Sequence, residues 1–169
     1  MRLFASEVGS PIGPLALAVD EDGRLRGVSF GEGRNRAMAR EYPGVPLKPG
    51  QTPTPIAAAL DDYFAGDQAA LMRIEWSLDG AVAGDGFQAR VWRALWDVSV
   101  GQTISYGEMA TRAGEPGAAH AAGVALNRNP IALVLACHRV VGADGSMVGF
   151  GGGLERKTWL LRHEGALLI

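Results

Sequence analysis

Residues 80–86, Gly-Ala-Val-Ala-Gly-Asp-Gly, are rich in Gly and Ala and are predicted to separate two parts of the chain. The first part begins with short runs of alternating apolar residues, which are typical of strands. In the second part apolar residues recur at three- and four-residue spacings, which are typical of helices. We therefore predict two domains, residues 1–83 and 84–169. The composition, 47% apolar and 20% charged, is that of a globular protein that can bury a core.

The first domain is predicted to combine a small sheet with a helix. Asp20-Glu-Asp-Gly23 favours a hairpin turn, because Gly and Asp tolerate positive φ. Residues 31–53 are predicted to be an irregular connection. Thr54 is predicted to cap a helix that Pro55 opens and Gly66 ends. The runs with strand-like alternation are Leu3–Val8, Leu15–Val19 and Leu25–Phe30.

The second domain is predicted to be mostly helical. A first helix begins near Phe87. Ser105-Tyr-Gly-Glu108 has the form of a capping box, which starts a helix that Gly114 ends. Pro116 is predicted to open the next helix. Two short helices joined by a Gly-containing turn match the helix-turn-helix pattern, although many helical pairs that bind no DNA share it.

The second helix of that pair, "PGAAHAAGVAL", lacks the Arg, Asn, Gln or Lys side chains that read base edges in the major groove. Its small residues give it a slim profile. Such a helix could approach a DNA backbone closely or enter the minor groove, with little sequence preference. A tightly packed internal helix fits the same residues equally well.

Charge and cysteine usage narrow the possible functions. Residues 1–85 carry 8 Lys or Arg against 12 Asp or Glu, whereas residues 86–169 carry 8 against 6. The net charges of −4 and +2 allow a DNA-facing surface on the second half. A single cysteine excludes an internal disulfide and a Cys-rich zinc site, and it suits a reducing cytosol. No apolar stretch approaches the length of a membrane span.

The only cysteine, Cys137, stands in "LVLACHRVV", where the strand-like run Ile131–Leu135 leads to it and His138 follows. A lone cysteine is most often a small buried hydrophobe. As a nucleophile it would need a base, and His138 could serve if a turn or a bridging water connected them. Glu164 is a candidate to fix the imidazole tautomer. The later "GFGGGLERKTW" lacks the glycine spacing of a dinucleotide fingerprint and the Lys-Ser/Thr of a P-loop.

Several segments together resemble the O6-alkylguanine-DNA alkyltransferases, whose hallmark is Pro-Cys-His-Arg-Val. The match is dense from Gly86 to Gly165 and looser over residues 1–85. The fold that the resemblance implies is an RNase H-like α/β domain, with a small antiparallel sheet plus a helix, followed by a mostly α-helical winged-helix or helix-turn-helix domain that binds DNA. The segments are "FQARVW", "ISYGEMA", "GEPGAAHAAGVALNRNP" and "ACHRVVGADGSMVGFGGGLERKTWLLRHEG".

The resemblance implies a repair protein that moves the alkyl group from O6 of guanine in DNA, and from O4 of alkylated thymine, to its own Cys137. Because the thioether is not regenerated, each molecule acts once. His138 would take the thiol proton through a water and Glu164 would orient His138. Tyr106 would donate a hydrogen bond to the purine, and Asn129 would brace the turn around Cys137.

The resemblance also implies where DNA binds. The duplex would bind through its minor groove, with the alkylated guanine flipped into a pocket. No cofactor, metal or membrane is implied, and the protein is expected in the cytoplasm. Arg139 is expected to form a structural ion pair. The pocket would be lined by Val140, Phe150, Gly151 and Gly152, and the DNA surface would include Ala119, His120, Ala121, Gly123 and Arg128.

Three residues depart from the family pattern. Ala136 replaces the proline before the cysteine, Gly151 replaces a frequent serine, and His120 stands where an arginine usually fills the gap left by the flipped base. Two alternatives use the same resemblance: a protein that binds lesions and flags them without chemistry, and a regulator that uses alkylated Cys137 as a signal. The flagging relatives lack the reactive cysteine, and a regulator would usually need an extra sensor domain.

Overall fold

The computed structural model describes residues 1–146 and 150–167. The chain forms two compact units. The first contains Met1–Val82 with Pro130–Val134, and the second contains Ala83–Asn129 with the chain from Leu135 onward. The sequence had suggested an uninterrupted second domain from residue 84. Pro130–Val134 instead group with the first unit, because Val28 and Ile131 form an isolated bridge and the Val28 N–H donates to the Pro130 carbonyl.

The first unit is built on a four-stranded sheet in the order β3-β2-β1-β4. The three strands predicted from alternation are present, and they are joined by antiparallel pairing. The fourth strand pairs parallel to β1, with Leu3 opposite Leu47, so the sheet is mixed rather than antiparallel. The strands are β1 (Leu3–Val8), β2 (Leu15–Asp20), β3 (Leu25–Phe30) and β4 (Leu47–Pro49).

Residues 31–53, predicted to be irregular, contain β4 and a short helix, α1 (Arg36–Glu41). This helix packs on β3 at Gly27, where a Cβ would lie 2.8 Å from the Cβ of Met38 and would force the two elements apart. Its signal in the sequence is weak, since it begins at Asn35 in a left-handed conformation without a side-chain cap. Met38 joins a small buried cluster with Leu3, Ala18, Tyr42 and Ala81.

The helix predicted after Thr54 is present as α2 (Thr54–Phe64). Its capping residue is Pro53 rather than Thr54, which is itself the first helical residue and makes no cap through its side chain. Pro55 occupies the first turn, where the missing N–H leaves no bond unmade. Gly66 follows the helix with φ of 118°, a conformation that favours glycine.

The second unit consists of helices around a two-stranded parallel sheet. The pairing joins β5 (Ile104–Ser105) to β6 (Val140–Val141). The fully buried indole of Trp92 donates from Nε1 to the Ala125 carbonyl at 2.7 Å and ties two of the helices together. The helices are α3 (Phe87–Leu95), α4 (Tyr106–Arg112), α5 (Ala119–Asn127) and α6 (Leu154–His163).

The helical pair α4 and α5 differs in part from its prediction. The Ser105 hydroxyl caps α4 by accepting from the Glu108 N–H at 3.1 Å, as the capping box predicts. The helix α5 begins at Ala119 rather than at Pro116, because Pro116 and Gly117 form a turn in which Gly117 has φ of 86°. The helices are therefore shorter than the sequence indicates, and the connection between them is longer.

The predicted strand Ile131–Leu135 is absent. Ile131 makes the single bridge to Val28, and turns follow it through Val134. Leu133 has φ of 72°, which no strand residue adopts. Residues 147–149 lie outside the described residues. Within the described ranges, no helix has both the length and the apolar character needed to cross a membrane.

Candidate active site around Cys137

Cys137 begins a single 3-10 turn, Cys137–Arg139, that leads into β6. The turn is closed by the Arg139 N–H, which donates to the Ala136 carbonyl at 3.1 Å, and the Cys137 N–H donates to the Leu135 carbonyl at 2.8 Å. Sequence neighbours on a strand point to opposite sides. A 3-10 turn removes that restriction. Of the two connections expected between Cys137 and His138, a turn or a bridging water, the turn is therefore present.

The Cys137 thiol is almost fully buried, with 8% of the residue exposed. Burial raises the pKa of the thiol, whereas a hydrogen bond from Asn129 and the nearby Lys157 charge act in the opposite direction. Asn129 also donates from Nδ2 to the Leu135 carbonyl at 2.7 Å. One buried amide thus holds both the thiol and the backbone that leads to it.

His138 is fully buried and makes a short contact with a carboxylate. Its Nε2 lies 2.8 Å from Oε2 of Glu164. Because a carboxylate only accepts, the neutral imidazole carries its proton on Nε2, which leaves Nδ1 as the basic nitrogen. Among the described residues Nδ1 has no hydrogen-bond partner. Burial lowers the pKa of His138, although the Glu164 charge partly opposes this, and the imidazole is therefore neutral near pH 7.

Glu164 is shared between His138 and Arg139. The guanidinium donates from Nε to Oε1 at 2.8 Å and from Nη2 to Oε2 at 3.0 Å. It also donates from Nη1 to the Val98 carbonyl at 2.6 Å. Burial favours the neutral acid, but His138 and Arg139 outweigh it and hold the pKa of the Glu164 carboxyl far below its usual range. The carboxylate is charged at every pH at which the protein works.

Tyr106 opens α4 and lies against α5 at Gly123. A Cβ at Gly123 would be 3.8 Å from two ring carbons of Tyr106, so the ring faces that helix at contact distance. Burial and the nearby Cys137 raise the pKa of the phenol. The hydroxyl therefore stays protonated at neutral pH and can donate a hydrogen bond next to the thiol.

The residues expected on the DNA surface lie along α5 and just beyond it. His120, Ala121 and Arg128 are exposed, whereas Ala119 and Gly123 are half-buried. The opposite face of α5 is buried through Ala122, Ala125 and Leu126. The helix is thus not the fully internal one that its small residues also allowed, and it presents a narrow outer surface with one imidazole.

The residues expected to line the purine pocket are split between β6 and the loop before α6. Val140 is fully buried, and its carbonyl accepts a hydrogen bond from Lys157. Gly151 is exposed, and Phe150 and Gly152 are half-buried. The Phe150 carbonyl accepts from the Gly153 N–H, which gives the loop a turn. Gly149 of the same loop lies outside the described residues.

Sequence reasoning missed Lys157, although a signal was present. Lys157 precedes Leu160 and Leu161 by three and four residues, which places it on the buried face of α6. A lysine on such a face is rarely fully buried without a polar partner. Lys157 is 1% exposed and donates to the Val140 carbonyl at 2.7 Å.

Comparison with known proteins identifies the family of the chain. A sequence model of the 6-O-methylguanine DNA methyltransferase, DNA binding domain, matches residues 86–166. The methylated-DNA–protein-cysteine methyltransferase of Salmonella typhimurium is 39% identical over 174 residues, which cover 100% of this chain and 99% of that protein. The chain belongs to this methyltransferase family.

Other members of the methyltransferase family show similar agreement. The protein of the same name from Mycobacterium leprae is 41% identical, over 96% of this chain and 92% of the relative. The structure of Mycobacterium tuberculosis OGT in complex with DNA has a TM-score of 0.77 and 35% identity, and it covers 98% of this chain and 94% of that one. The mixed sheet plus helices is therefore the fold of these solved relatives.

Ala136, which stands where the family motif has proline, has a φ that a proline could also adopt. Ala136 has φ of −79°, which lies within the range that a proline ring imposes. Alanine thus adopts a φ that a proline ring would fix, although alanine itself is not restricted to that φ. Replacing proline by alanine therefore increases the conformational entropy of the unfolded chain more than it changes the geometry of the folded turn.

Proposed function

We propose that this protein repairs alkylated DNA by moving the alkyl group from O6 of guanine to its own Cys137, once per molecule. O4-alkylthymine is a second substrate of the same chemistry. The proposal is carried by one observation: the lone thiol starts a turn whose next residue is a neutral, buried histidine held by a charged carboxylate. The names of the relatives support alkyl transfer rather than lesion flagging without chemistry.

The reaction follows from these groups. The Cys137 S–H bond breaks and its proton passes to Nδ1 of His138, through a bridging water. The sulfur then forms a bond to the alkyl carbon as the bond from that carbon to O6 breaks, and the electron pair remains on the purine. Glu164 keeps the Nε2–H of His138 in place and stabilises the imidazolium that forms. Asn129 holds the turn through its bond to the Leu135 carbonyl.

Tyr106 would assist departure of the purine. As a protonated phenol next to the thiol, it can donate a hydrogen bond to the guanine, so that the negative charge developing on the leaving base is stabilised. The backbone of Val140 and the loop Phe150–Gly152 would contact the base edges. The Val140 carbonyl already accepts from Lys157, but a carbonyl oxygen has a second lone pair for the purine.

The duplex would bind over α5, through its minor groove, with the damaged nucleotide flipped into the pocket. The slim outer face formed by Ala119, Ala121 and Gly123 supports close approach to a narrow groove. The exposed Arg128 would contact phosphate, which positions the duplex without reading its sequence. Discrimination then occurs in the pocket, where the lesion is identified.

The finer description of the fold is part of the same proposal. Three antiparallel strands followed by a fourth parallel to the first support an RNase H-like first unit. The pair α4 and α5 beside the short sheet β5–β6 supports a winged-helix form of the helix-turn-helix in the second unit. A free thiol that acts on DNA requires a reducing compartment containing DNA, and the cytoplasm meets this requirement.

Intact mass measurement tests the proposed function. After incubation with a duplex that contains one O6-methylguanine, the protein is expected to gain one methyl group, mapped by peptide analysis to Cys137. Excess substrate is not expected to give a second equivalent. The Cys137→Ser protein and a duplex with unmodified guanine serve as controls. Tight binding of the lesion with an unchanged mass would overturn the proposal in favour of lesion flagging.

His120 provides a prediction about base flipping. Extruding a nucleotide costs a few kcal/mol, which a side chain inserted into the gap partly offsets. Arginine is longer than histidine and permanently charged, and its planar group can stack. We expect His120→Arg to speed repair of an O6-methylguanine duplex by about three- to tenfold, while the rate with free O6-benzylguanine, which needs no flipping, stays the same.

The control for His120→Arg separates insertion from added charge. Gln102 is exposed and lies outside α5, so Gln102→Arg adds the same charge elsewhere. Single-turnover rates are compared for both variants and both substrates. Equal acceleration by Gln102→Arg would assign the effect to general attraction of DNA. An equal change on duplex and free base would remove His120 from the flipping step.

A further inference from the structure

A fully buried lysine on α6 has no part in the mechanism given above. The chain contains two lysines and fourteen arginines, and Lys157 is the one with 1% exposure. Removing an ammonium group from water is unfavourable unless polar or charged groups in the protein replace its hydration. Most positively charged positions in this chain carry arginine. A lysine at this buried site therefore indicates that the site suits a compact ammonium better than a planar guanidinium.

Lys157 contacts the backbone directly after the turn Cys137–Arg139. Its Nζ donates to the Val140 carbonyl at 2.7 Å, and Val140 is the residue that directly follows the turn Cys137–Arg139. The ammonium is therefore tied to the backbone that carries the thiol. Burial raises the pKa of Cys137 and lowers the pKa of Lys157, and the electrostatic interaction between the two groups acts against both shifts.

The other polar groups described around Cys137 are either neutral or paired with a group of opposite charge. His138 is neutral in the resting site, and the Arg139 guanidinium faces the Glu164 carboxylate at 2.8 and 3.0 Å. Tyr106 is a neutral phenol, and Asn129 is uncharged. Among the described residues, Tyr106 of α4, Asn129 after α5 and Lys157 of α6 interact with the thiol, and the other charged or titratable groups at the turn are His138, Arg139 and Glu164.

We propose that Lys157 is a positioning residue for the transfer reaction: its ammonium holds the Val140 carbonyl and supplies the positive charge that favours the Cys137 thiolate. Lys157 donates no proton to the substrate in this reaction. The thiol proton goes to His138, the sulfur bonds to the alkyl carbon, and the electron pair of the broken bond leaves with the purine. The inference rests on the proposed function, but the charge on Cys137 can be measured without any DNA.

The thiolate absorbance near 240 nm measures that charge, because the chain has one cysteine. The signal of each protein is titrated with pH, and the titration of the matching Cys137→Ser protein is subtracted to remove tyrosine. Lys157→Met removes both the charge and the donor. Lys157→Gln retains a donor for the Val140 carbonyl without the charge, and Lys157→Arg retains the charge. Lys48 is exposed and lies in the first unit, so Lys48→Met is the matched control.

We expect the thiol midpoint to rise by about one pH unit in Lys157→Met and Lys157→Gln, which is about a tenfold smaller thiolate fraction below the midpoint. Lys157→Arg should restore most of the shift, and Lys48→Met should match the wild type. The rate with free O6-benzylguanine should show the same shift in its pH profile. Circular dichroism and the thermal midpoint establish that each variant is folded.

An unchanged midpoint in a folded Lys157→Gln protein would overturn the proposal and leave Lys157 with a structural role only. A midpoint that rises in Lys157→Met alone would assign the effect to the lost hydrogen bond and also overturn the role of the charge. A wrong proposed function would give a different result. The wild-type protein would then gain no methyl group from damaged duplex, even if the thiol midpoints of the Lys157 variants shifted as expected.

Discussion

Glu164→Gln is expected to slow alkyl transfer by about ten- to a hundredfold, with duplex affinity unchanged. The carboxylate accepts the Nε2–H of His138 at 2.8 Å, and Glu164 is 3% exposed, so it is buried away from any DNA surface. An amide of the same shape loses the negative charge that stabilises the imidazolium. General-base catalysis contributes about 10²–10⁴-fold, and an orienting group contributes a part of that.

Two further measurements identify the cause of the slowing. The plateau rate of single-turnover repair should fall and the acid limb of its pH profile should move to lower pH, because without the carboxylate the pKa of His138 falls further and the neutral imidazole is a weaker base. Glu164→Asp keeps the charge and should recover part of the rate. Glu108 is an exposed glutamate paired with Arg112 at 3.2 Å, so Glu108→Gln is the matched control and should leave the rate unchanged.

A folded Glu164→Gln protein with the normal rate would remove Glu164 from the mechanism. The residue would then serve only to close the end of α6. Equal slowing of duplex repair and of reaction with free O6-benzylguanine supports the proposed role, since both reactions need the same thiolate. Slowing on the duplex alone would point to DNA binding instead.

The sequence predicted those parts of the fold that local patterns control. Strands β1, β2 and β3 alternate clearly, and the turn after Asp20 contains a glycine that adopts φ of 79°. The strand β4 was missed because its three residues include a proline, and its pairing with β1 depends on a long-range contact. The start of α5 was placed too early because Pro116 favours either a turn or a helix start, and Gly117 decides for the turn.

For the site, the sequence indicated the main candidate residues but not all of their contacts. The residues themselves indicated Cys137, His138 and Glu164 as candidates and the resemblance to the family implied their roles; in the structure His138 directly follows Cys137 in the turn and contacts Glu164. Arg139 was expected to form an ion pair, but its partner was not specified. The sequence could not reveal that it shares the carboxylate of Glu164. Lys157 was missed because a periodic pattern identifies a buried face but not the carbonyl that a buried cation reaches.

The shared carboxylate leads to a prediction about stability. Arg139 is 5% exposed and Glu164 is 3% exposed, and two hydrogen bonds join them. Removing one partner of a buried ion pair leaves the other charge unpaired, which costs about 3 kcal/mol. We expect Arg139→Met, which replaces most of the unbranched stem of the side chain, to reduce the free energy of unfolding by this amount at pH 7 and the thermal midpoint by roughly 10 °C.

A matched exposed pair provides the control. Arg73 also binds two carboxylates, Asp62 at 3.0 Å and Asp67 at 3.1 Å, but its side chain is 52% exposed. Solvent screens such pairs, so Arg73→Met should lower the free energy of unfolding by less than about 1 kcal/mol. Similar losses in the two variants would show that burial of the Arg139 pair does not matter.

The loss in Arg139→Met should depend on pH in a defined direction. Burial alone would raise the pKa of Glu164, but His138 and Arg139 hold it below the ordinary value of 4.5. A carboxyl with a lowered folded pKa contributes stability above its unfolded pKa, and that contribution is lost as the pH falls through the folded value. Without Arg139 the folded pKa rises, so less of this contribution remains.

The difference in unfolding free energy between wild type and Arg139→Met should therefore be largest at neutral pH and shrink below about pH 4.5, where the carboxyl of the variant is protonated and needs no cation. Urea denaturation at a series of pH values from about 8 down to about 3 measures it. A difference that stays constant over this range would mean that Arg139 acts through packing and its bond to the Val98 carbonyl. A difference that grows in acid would contradict the assignment of the charge on Glu164.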